Sequence, residues 1–171
     1  MTNPFAANAT AIPTNAQISI FLAEPTFSSL PPEVSQLKAA KSNITTAKAK
    51  RIAKTYLADY SDPLIEMNEA LNNAIDKGLI LLAKQNETIL GVCIIINTQF
   101  DNFIPTFHIA YIGTSGMHKG RGIGTELIKR AVNITDGKLS LHVDLDNKGA
   151  KKLYEKMGFK HVYNRMIYYS E

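Results

Sequence analysis

Lys119-Gly120-Arg121-Gly122-Ile123-Gly124 joins two segments of opposite character: an apolar, β-branched run before it and, after it, the helical pattern Ile123, Leu127, Ile128, Ala131, Val132. Glycines at such a junction let the backbone approach a ligand closely. The first amides of the following helix have no intrahelical partner and, with the positive end of the helix dipole, point toward an anion. Lys119 and Arg121 add full charges to that partial one. The stretch reads as a phosphate cradle, built from Lys119, Gly120, Arg121, Gly122, Ile123, Gly124 and Thr125.

Spacing separates this cradle from two other nucleotide loops. A Walker loop needs Gly-x-x-x-x-Gly-Lys-Ser/Thr. Counted from Gly113, His118 and Lys119 fall where Gly and Lys belong, and Gly120 falls where a magnesium-binding hydroxyl belongs. A dinucleotide fingerprint needs Gly-x-Gly-x-x-Gly, but after Gly120 and Gly122 the third position is Thr125, and too few residues follow for a doubly wound sheet.

Downstream lies Leu141-x-Val143-x-x-x-Asn147-x-x-Ala150-x-x-Leu153-Tyr154-x-x-x-Gly158-Phe159. Together the two stretches resemble the donor-side motifs of the GCN5-related N-acetyltransferase (GNAT) family. That family's loop runs Arg/Gln-x-x-Gly-x-Gly/Ala, and Lys119, Gly122 and Gly124 hold its three defining positions. The resemblance extends from the strand near Thr106 onward. Lys119 departs from the pattern: it keeps the charge but lacks the planar fork of Arg, so a looser diphosphate contact is expected.

The resemblance implies an α/β (α+β) fold with a mixed, mostly antiparallel central sheet and helices on both faces. It also implies acetyl-coenzyme A as donor, no metal, and direct attack of an amine on the thioester carbonyl. A backbone N–H near Thr114, at the end of the strand that also carries Ile112, would polarise that carbonyl. Tyr154 holds the position of the residue that protonates the departing thiolate, although Ala150, Leu153, Tyr154 and Met157 also form an apolar stripe. Asn147 either touches the donor or caps the last helix. Six positions before Thr114, where some members carry a Glu that deprotonates the acceptor, this chain has His108. A His near its ordinary pKa of ~6.5 can take that proton. A lone strand His is also often a hydrogen-bonded structural residue, and His142, Glu66 and Glu69 are rivals for the role.

Length and composition bound these readings. The 171 residues suit one domain with a sizeable core, and 45% hydrophobic with 20% charged residues argues against overall disorder. The single cysteine, Cys93, lies in the apolar run Leu90 to Ile96, so it reads as core rather than nucleophile, and a disulfide framework or cysteine zinc site within one chain is excluded. No basic-then-apolar leader opens the sequence and no apolar run reaches membrane-spanning length, so a cytoplasmic enzyme without a membrane partner is expected. A net charge of +4 suits an anionic cofactor as readily as an anionic macromolecule.

Along the chain, residues 1–16 read as a loose arm ahead of a single domain at 17–171. Residues 17–23 alternate as a first strand, ended by Pro25, Pro31 and Pro32. Apolar positions from Ile44 to Tyr60 keep a helical period. A second helix is expected after Asp62 and Pro63, with a stripe of Leu64, Met67, Ala70, Leu71, Ala74 and Ile75 and a left-handed exit at Gly78. Two central strands, 79–84 and 88–97, flank the turn Gln85-Asn86-Glu87. Then come a strand at 106–114, the loop and its helix, a strand at 139–143, a helix at 148–157 and a final strand at 159–169. The order is β-α-α-β-β-β-α-β-α-β. An uncovered final edge invites aggregation, so either the N-terminal segment or a second subunit, as a homodimer, is expected there.

The acceptor carries no signature, so an amine of a small molecule or of a protein is expected. One alternative is a toxin-like acetyltransferase of aminoacyl-tRNA, suggested by Lys38, Lys41, Lys48, Lys50, Arg51 and Lys54 with no acid until Asp59, although such runs are usually a solvated helix face. Another is a non-catalytic regulator that binds coenzyme A.

Overall fold

The apolar runs at 79–85 and 88–97 become the middle of the sheet because each supplies side chains to two cores at once. The computed structural model describes residues 16–21 as backbone, together with 46–57, 64–86 and 88–168. Their order is β1 Ala16–Phe21, α1 Thr46–Tyr56, α2 Leu64–Asp76, β2 Leu79–Gln85, β3 Thr88–Asn97 and β4 Phe107–Thr114. A short 3-10 turn, Gly116–His118, then leads to α3 Ile123–Ile134, β5 Leu139–Leu141 and α4 Lys148–Lys156. Strand order in the sheet is β1-β2-β3-β4-β5. The first three pairings are antiparallel, and β4 and β5 are parallel. A parallel pair needs a crossover, which α3 provides.

Helices cover both faces. On one, Ile123, Leu127, Ala131 and Ile134 of α3 pack on Leu81, Cys93, Ile95, Phe107, Ile109 and Leu139. On the other, α1 and α2 bring Ala53, Leu57, Met67, Leu71 and Ala74 against Ile80, Leu82, Val92, Ile94 and Tyr111. Successive strand residues point to opposite faces, so β2 and β3, sandwiched on both sides, are apolar without a break. Cys93 is fully buried, and burial pushes its thiol pKa up. Lys50, Arg51 and Lys54 lie exposed on α1.

Backbone contacts fix α1 and α2 against the sheet. Tyr56 donates its hydroxyl to the Ile89 carbonyl at 2.6 Å. Asn73 of α2 clamps β3 at Asn97, accepting from its N–H at 2.8 Å and donating to its carbonyl at 3.1 Å. Gly78 does not take the expected left-handed conformation, and its requirement is different: a Cβ there would strike the Ile95 carbonyl. Gly113 of β4 likewise leaves room for the Tyr56 carbonyl.

Several expectations are corrected. Leu64 is 66% exposed rather than part of the α2 stripe, because the buried face begins one turn later at Met67. Ala16 belongs to β1, not to the arm. β1 pairs with β2, at the edge opposite β5, so it does not cover the β5 side. β5 stops at Leu141, and residues 159–168 form no strand. Their apolar members Val162, Tyr163, Met166, Ile167 and Tyr168 are all exposed, so no core surface holds this segment in a ladder. Ile44, Tyr60, Asp62, Pro63, Lys38, Lys41, the prolines at 25, 31 and 32 and residues 1–15 lie outside the described residues.

Replacing Gly113 by Ala should destabilise the fold by about 3 kcal/mol, the upper range for overpacking, because the obstacle is backbone rather than a movable side chain. A denaturant titration that finds less than a few tenths of that loss would refute this account of the α1–β4 contact.

Candidate active site

The phosphate-type loop has the geometry its glycines allow. Gly120 (φ 80°) and Gly122 (φ 78°) both occupy the left-handed region, where side chains with a Cβ are strained. Gly122 is also the residue before α3, and no side chain caps that helix. The first amide of the helix with an intrahelical partner is that of Glu126, which donates to the Gly122 carbonyl at 3.0 Å. The amides ahead of it, from Gly122 to Thr125, therefore start the helix without a side-chain cap. Space beside Gly120 and Gly124 is open for at least 4 Å from a notional Cβ. Lys119 is exposed and Arg121 half-buried.

What anchors this loop is Ile123, buried against the α3-side core. Gly91 of β3 makes its seat: a Cβ there would come within 3.2 Å of both Ile123 Cγ2 and Thr114 Cγ2. The helix start is thus pinned to the sheet by one apolar side chain while its polar end stays open.

Beside the loop the sheet splits. β4 pairs with β5 only at Phe107, His108 and Ile109, whereas its pairing with β3 continues to Thr114. Among the described residues, 110–114, including Ile112 and Thr114, therefore run past the end of β5, and the sheet parts there.

A bulge decides which face each candidate takes. The β3–β4 register slips between Ile94 and Ile95, so Ala110 and Tyr111 both face the α1–α2 core. Ile109 and Ile112 face the α3 side. Strict alternation would place His108 and Thr114 on one face; the bulge puts them on opposite ones. His108 shares its face with Ser140 and His142 of the neighbouring strand and its continuation. Its Nδ1 lies 2.9 Å from Ser140 Oγ, and its ring centroid lies 4.5 Å from that of His142. Ser140 Oγ also donates to the Phe107 carbonyl at 3.4 Å. Burial first, then the nearby His142 and Arg165, push the His108 pKa down to about 4, well below the ordinary value expected from sequence. His142, though exposed, is also lowered, by partial burial and by Arg165. The rivals Glu66 and Glu69 stand exposed on α2. Ser140 was not singled out in the sequence, yet the run Leu139-Ser140-Leu141-His142 carries the signal, since alternation puts Ser140 and His142 together.

Tyr154 is buried on α4 and held by the helix exit. Gly158 (φ 94°) turns the chain left-handed, so that Phe159 N–H reaches the Tyr154 carbonyl at 3.0 Å and Gly158 N–H that of Glu155 at 3.0 Å. This paired-amide ending brings the two rings together, edge to face at 6.0 Å. Phe159 in turn packs on the α3-side core, opposite the face that carries His108. Asn147 acts as the cap, its Oδ1 accepting from the Ala150 amide at 3.0 Å.

The sequence pattern of the Acetyltransferase (GNAT) family matches residues 49–159, well over half of the sequence. The chain belongs to the GNAT family. Solved structures share the fold. A GNAT acetyltransferase from Elizabethkingia anophelis with acetyl-CoA bound is 19% identical with a TM-score of 0.59, over 88% of this chain and 80% of that one. An IAA acetyltransferase from Bacillus cereus is 24% identical with a TM-score of 0.57, over 67% of this chain and 74% of its own. An aminoglycoside 6'-N-acetyltransferase from Acinetobacter haemolyticus is 21% identical with a TM-score of 0.54, over 76% and 96% respectively. No curated protein matches the chain. GNAT members transfer acetyl groups from acyl-coenzyme A donors. Among the described residues no helix is long and apolar enough to cross a membrane.

The lowered His108 pKa has a stability consequence whose sign is fixed. Between its folded value of about 4 and the ordinary 6.5 the unfolded chain binds the extra proton, so His108 contributes stability at neutral pH that fades as pH falls through that window. In His108→Gln, chemical denaturation from pH 7 to pH 4 should show a shallower loss than wild type. An identical slope would mean that His108 titrates normally in the folded protein.

Proposed function

We propose that this GNAT protein transfers an acetyl group from acetyl-coenzyme A to a primary amine of a small molecule or a protein. The observation that carries the reading is the uncapped start of α3 at Gly122, set between Lys119 and Arg121 and open beside Gly120 and Gly124. A diphosphate needs just this set: unpaired amides, a helix dipole, two cations and no Cβ in the way. The residues fit the donor.

Lys119, Gly120, Arg121, Gly122, Ile123, Gly124 and Thr125 hold the diphosphate in this reading. When bound, acetyl-coenzyme A supplies an activated acetyl thioester. At the end of β4, where Ile112 leads into Thr114, the Thr114 main-chain N–H is the donor offered to the thioester oxygen. Tyr154 gives its hydroxyl proton to the departing sulfur, and Asn147 fixes the start of the helix that carries Tyr154. His108 serves the acceptor from the other face, so base and acid flank the point where the sheet parts rather than compete for one side.

The depressed basicity of His108 decides when it acts. An alkylammonium has a pKa near ~10.4, and direct transfer of its proton to a group titrating at about 4 is steeply uphill. The acceptor therefore arrives as the free amine, having released one proton to water. His108, neutral throughout the physiological range, takes the second proton once the nitrogen has bonded to carbon and become strongly acidic.

kcat/KM should accordingly climb from neutral to alkaline pH with the free-amine fraction and show no inflection near 6.5. His108→Ala should lower kcat by roughly 10²–10⁴-fold, the usual reach of general-base catalysis, while calorimetry finds donor affinity unchanged. Full activity in that variant would remove His108 from the reaction. Gly122→Glu should abolish coenzyme A binding by setting charge and bulk against the diphosphate, whereas Gly122→Asn, which tolerates the left-handed region, should retain part of it. Undiminished donor binding by Gly122→Glu would overturn the cradle. Product mass spectrometry after incubation with acetyl-coenzyme A and a cell extract identifies the acceptor, and no acetylated product would contradict the transferase reading.

A further inference from the structure

We infer that Ser140 is a positioning residue for His108, holding its ring as the Nδ1–H tautomer so that Nε2 keeps the lone pair that receives the acceptor's proton. The inference rests on the proposed transferase reading and extends it to a residue outside the family's donor motifs. Its basis is proton counting. A serine hydroxyl has one proton to give and two lone pairs to accept with. Ser140 Oγ has two neighbours, the Phe107 carbonyl at 3.4 Å and His108 Nδ1 at 2.9 Å. The carbonyl can only accept, so it takes the hydroxyl proton. The remaining contact is then satisfied only if His108 Nδ1 is the donor. In the other tautomer Ser140 gives its proton to Nδ1 and the carbonyl contact is left without a hydrogen. Two hydrogen bonds against one select the Nδ1–H form.

The surroundings favour a fixed ring. The parallel register sets His108 directly opposite Ser140, so the serine reaches it from the adjacent strand without a flexible loop. His142, beyond the end of β5, sets its ring 4.5 Å from that of His108, tilted by 57°. Among the described residues the charged or titratable groups acting on His108 are His142 and Arg165: Arg165 has no lone pair with which to accept from Nδ1, and His142 meets His108 through a ring contact, while the Nδ1 hydrogen-bond partner is Ser140. The structure supplies His108 with a hydroxyl where many catalytic histidines have a carboxylate. A hydroxyl orients the ring without raising its basicity as an anion would, which matches a base that meets its proton only after the C–N bond has formed.

The test reads the tautomer directly. Long-range proton–nitrogen NMR correlations of the histidine rings at neutral pH, on the full chain without donor, should show His108 protonated at Nδ1 in wild type and in Ser140→Thr, and shifted toward Nε2–H in Ser140→Ala. Alongside, Ser140→Ala should lose about fivefold to tenfold in kcat, the factor one neutral hydrogen bond commands, with donor affinity unchanged and Ser140→Thr restoring the rate. Wild-type His108 protonated at Nε2 overturns the inference without any variant having to fold. So does an unchanged tautomer in Ser140→Ala, or a changed tautomer with unchanged kcat. Loss of activity in His108→Ala alongside any of these leaves the base reading standing. Full activity in His108→Ala sinks that reading whatever the spectra show.

Discussion

Everything about the site depends on a parallel pairing that ends after three residues. β4 and β5 meet at Phe107, His108 and Ile109, and the sheet then parts. Parallel neighbours require a crossover, and the crossover here is α3, whose start is the glycine loop. One topological fact therefore places an uncapped helix start beside the point where the sheet parts. Ile123, seated in the space that Gly91 leaves, keeps the two in fixed relation.

The parting gives the molecule two chemically different sides. On the α3 side lie the loop and, through Phe159, the buried ring of Tyr154. On the α1–α2 side lie His108, Ser140 and His142. The bulge at Ala110–Tyr111 creates this division, since without it His108 and Thr114 would share a face. Bulges are found beside active sites because a single extra residue re-aims everything beyond it. In the proposed transfer between a large donor and a separate acceptor, opposite approaches would keep the two from obstructing each other.

His108 shows how burial tunes such a site. Partial burial with basic neighbours keeps the ring neutral far below physiological pH, which leaves it a lone pair at all times but makes it a weak base. In the proposed transfer, that trade would restrict it to the stage at which the attacking nitrogen is most acidic. The Arg165 charge and the His142 ring beside it both oppose protonation of His108.

Much of this was legible in the residues alone. The spacing of Lys119, Gly122 and Gly124, the Asn147 cap signal, the Gly158-Phe159 helix exit and the unbroken runs of β2 and β3 are local, and local rules govern them: a left-handed turn needs glycine, a doubly covered strand is apolar throughout. The roles of Gly78 and Gly113 were not legible, because what a missing Cβ makes room for is a carbonyl distant in sequence. Nor was the face His108 takes relative to Thr114, which one bulge sets, nor its lowered pKa, which burial first and then His142 and Arg165 impose. The final strand failed for a related reason: apolar residues at 162–168 suggest a strand, but strand formation needs an adjacent ladder, and whether one exists is a property of the assembled sheet. Sequence determined where the glycine turn and its flanking cations lie; tertiary structure decided which face of the sheet each candidate group takes, because that depends on register and contact between segments far apart in the chain.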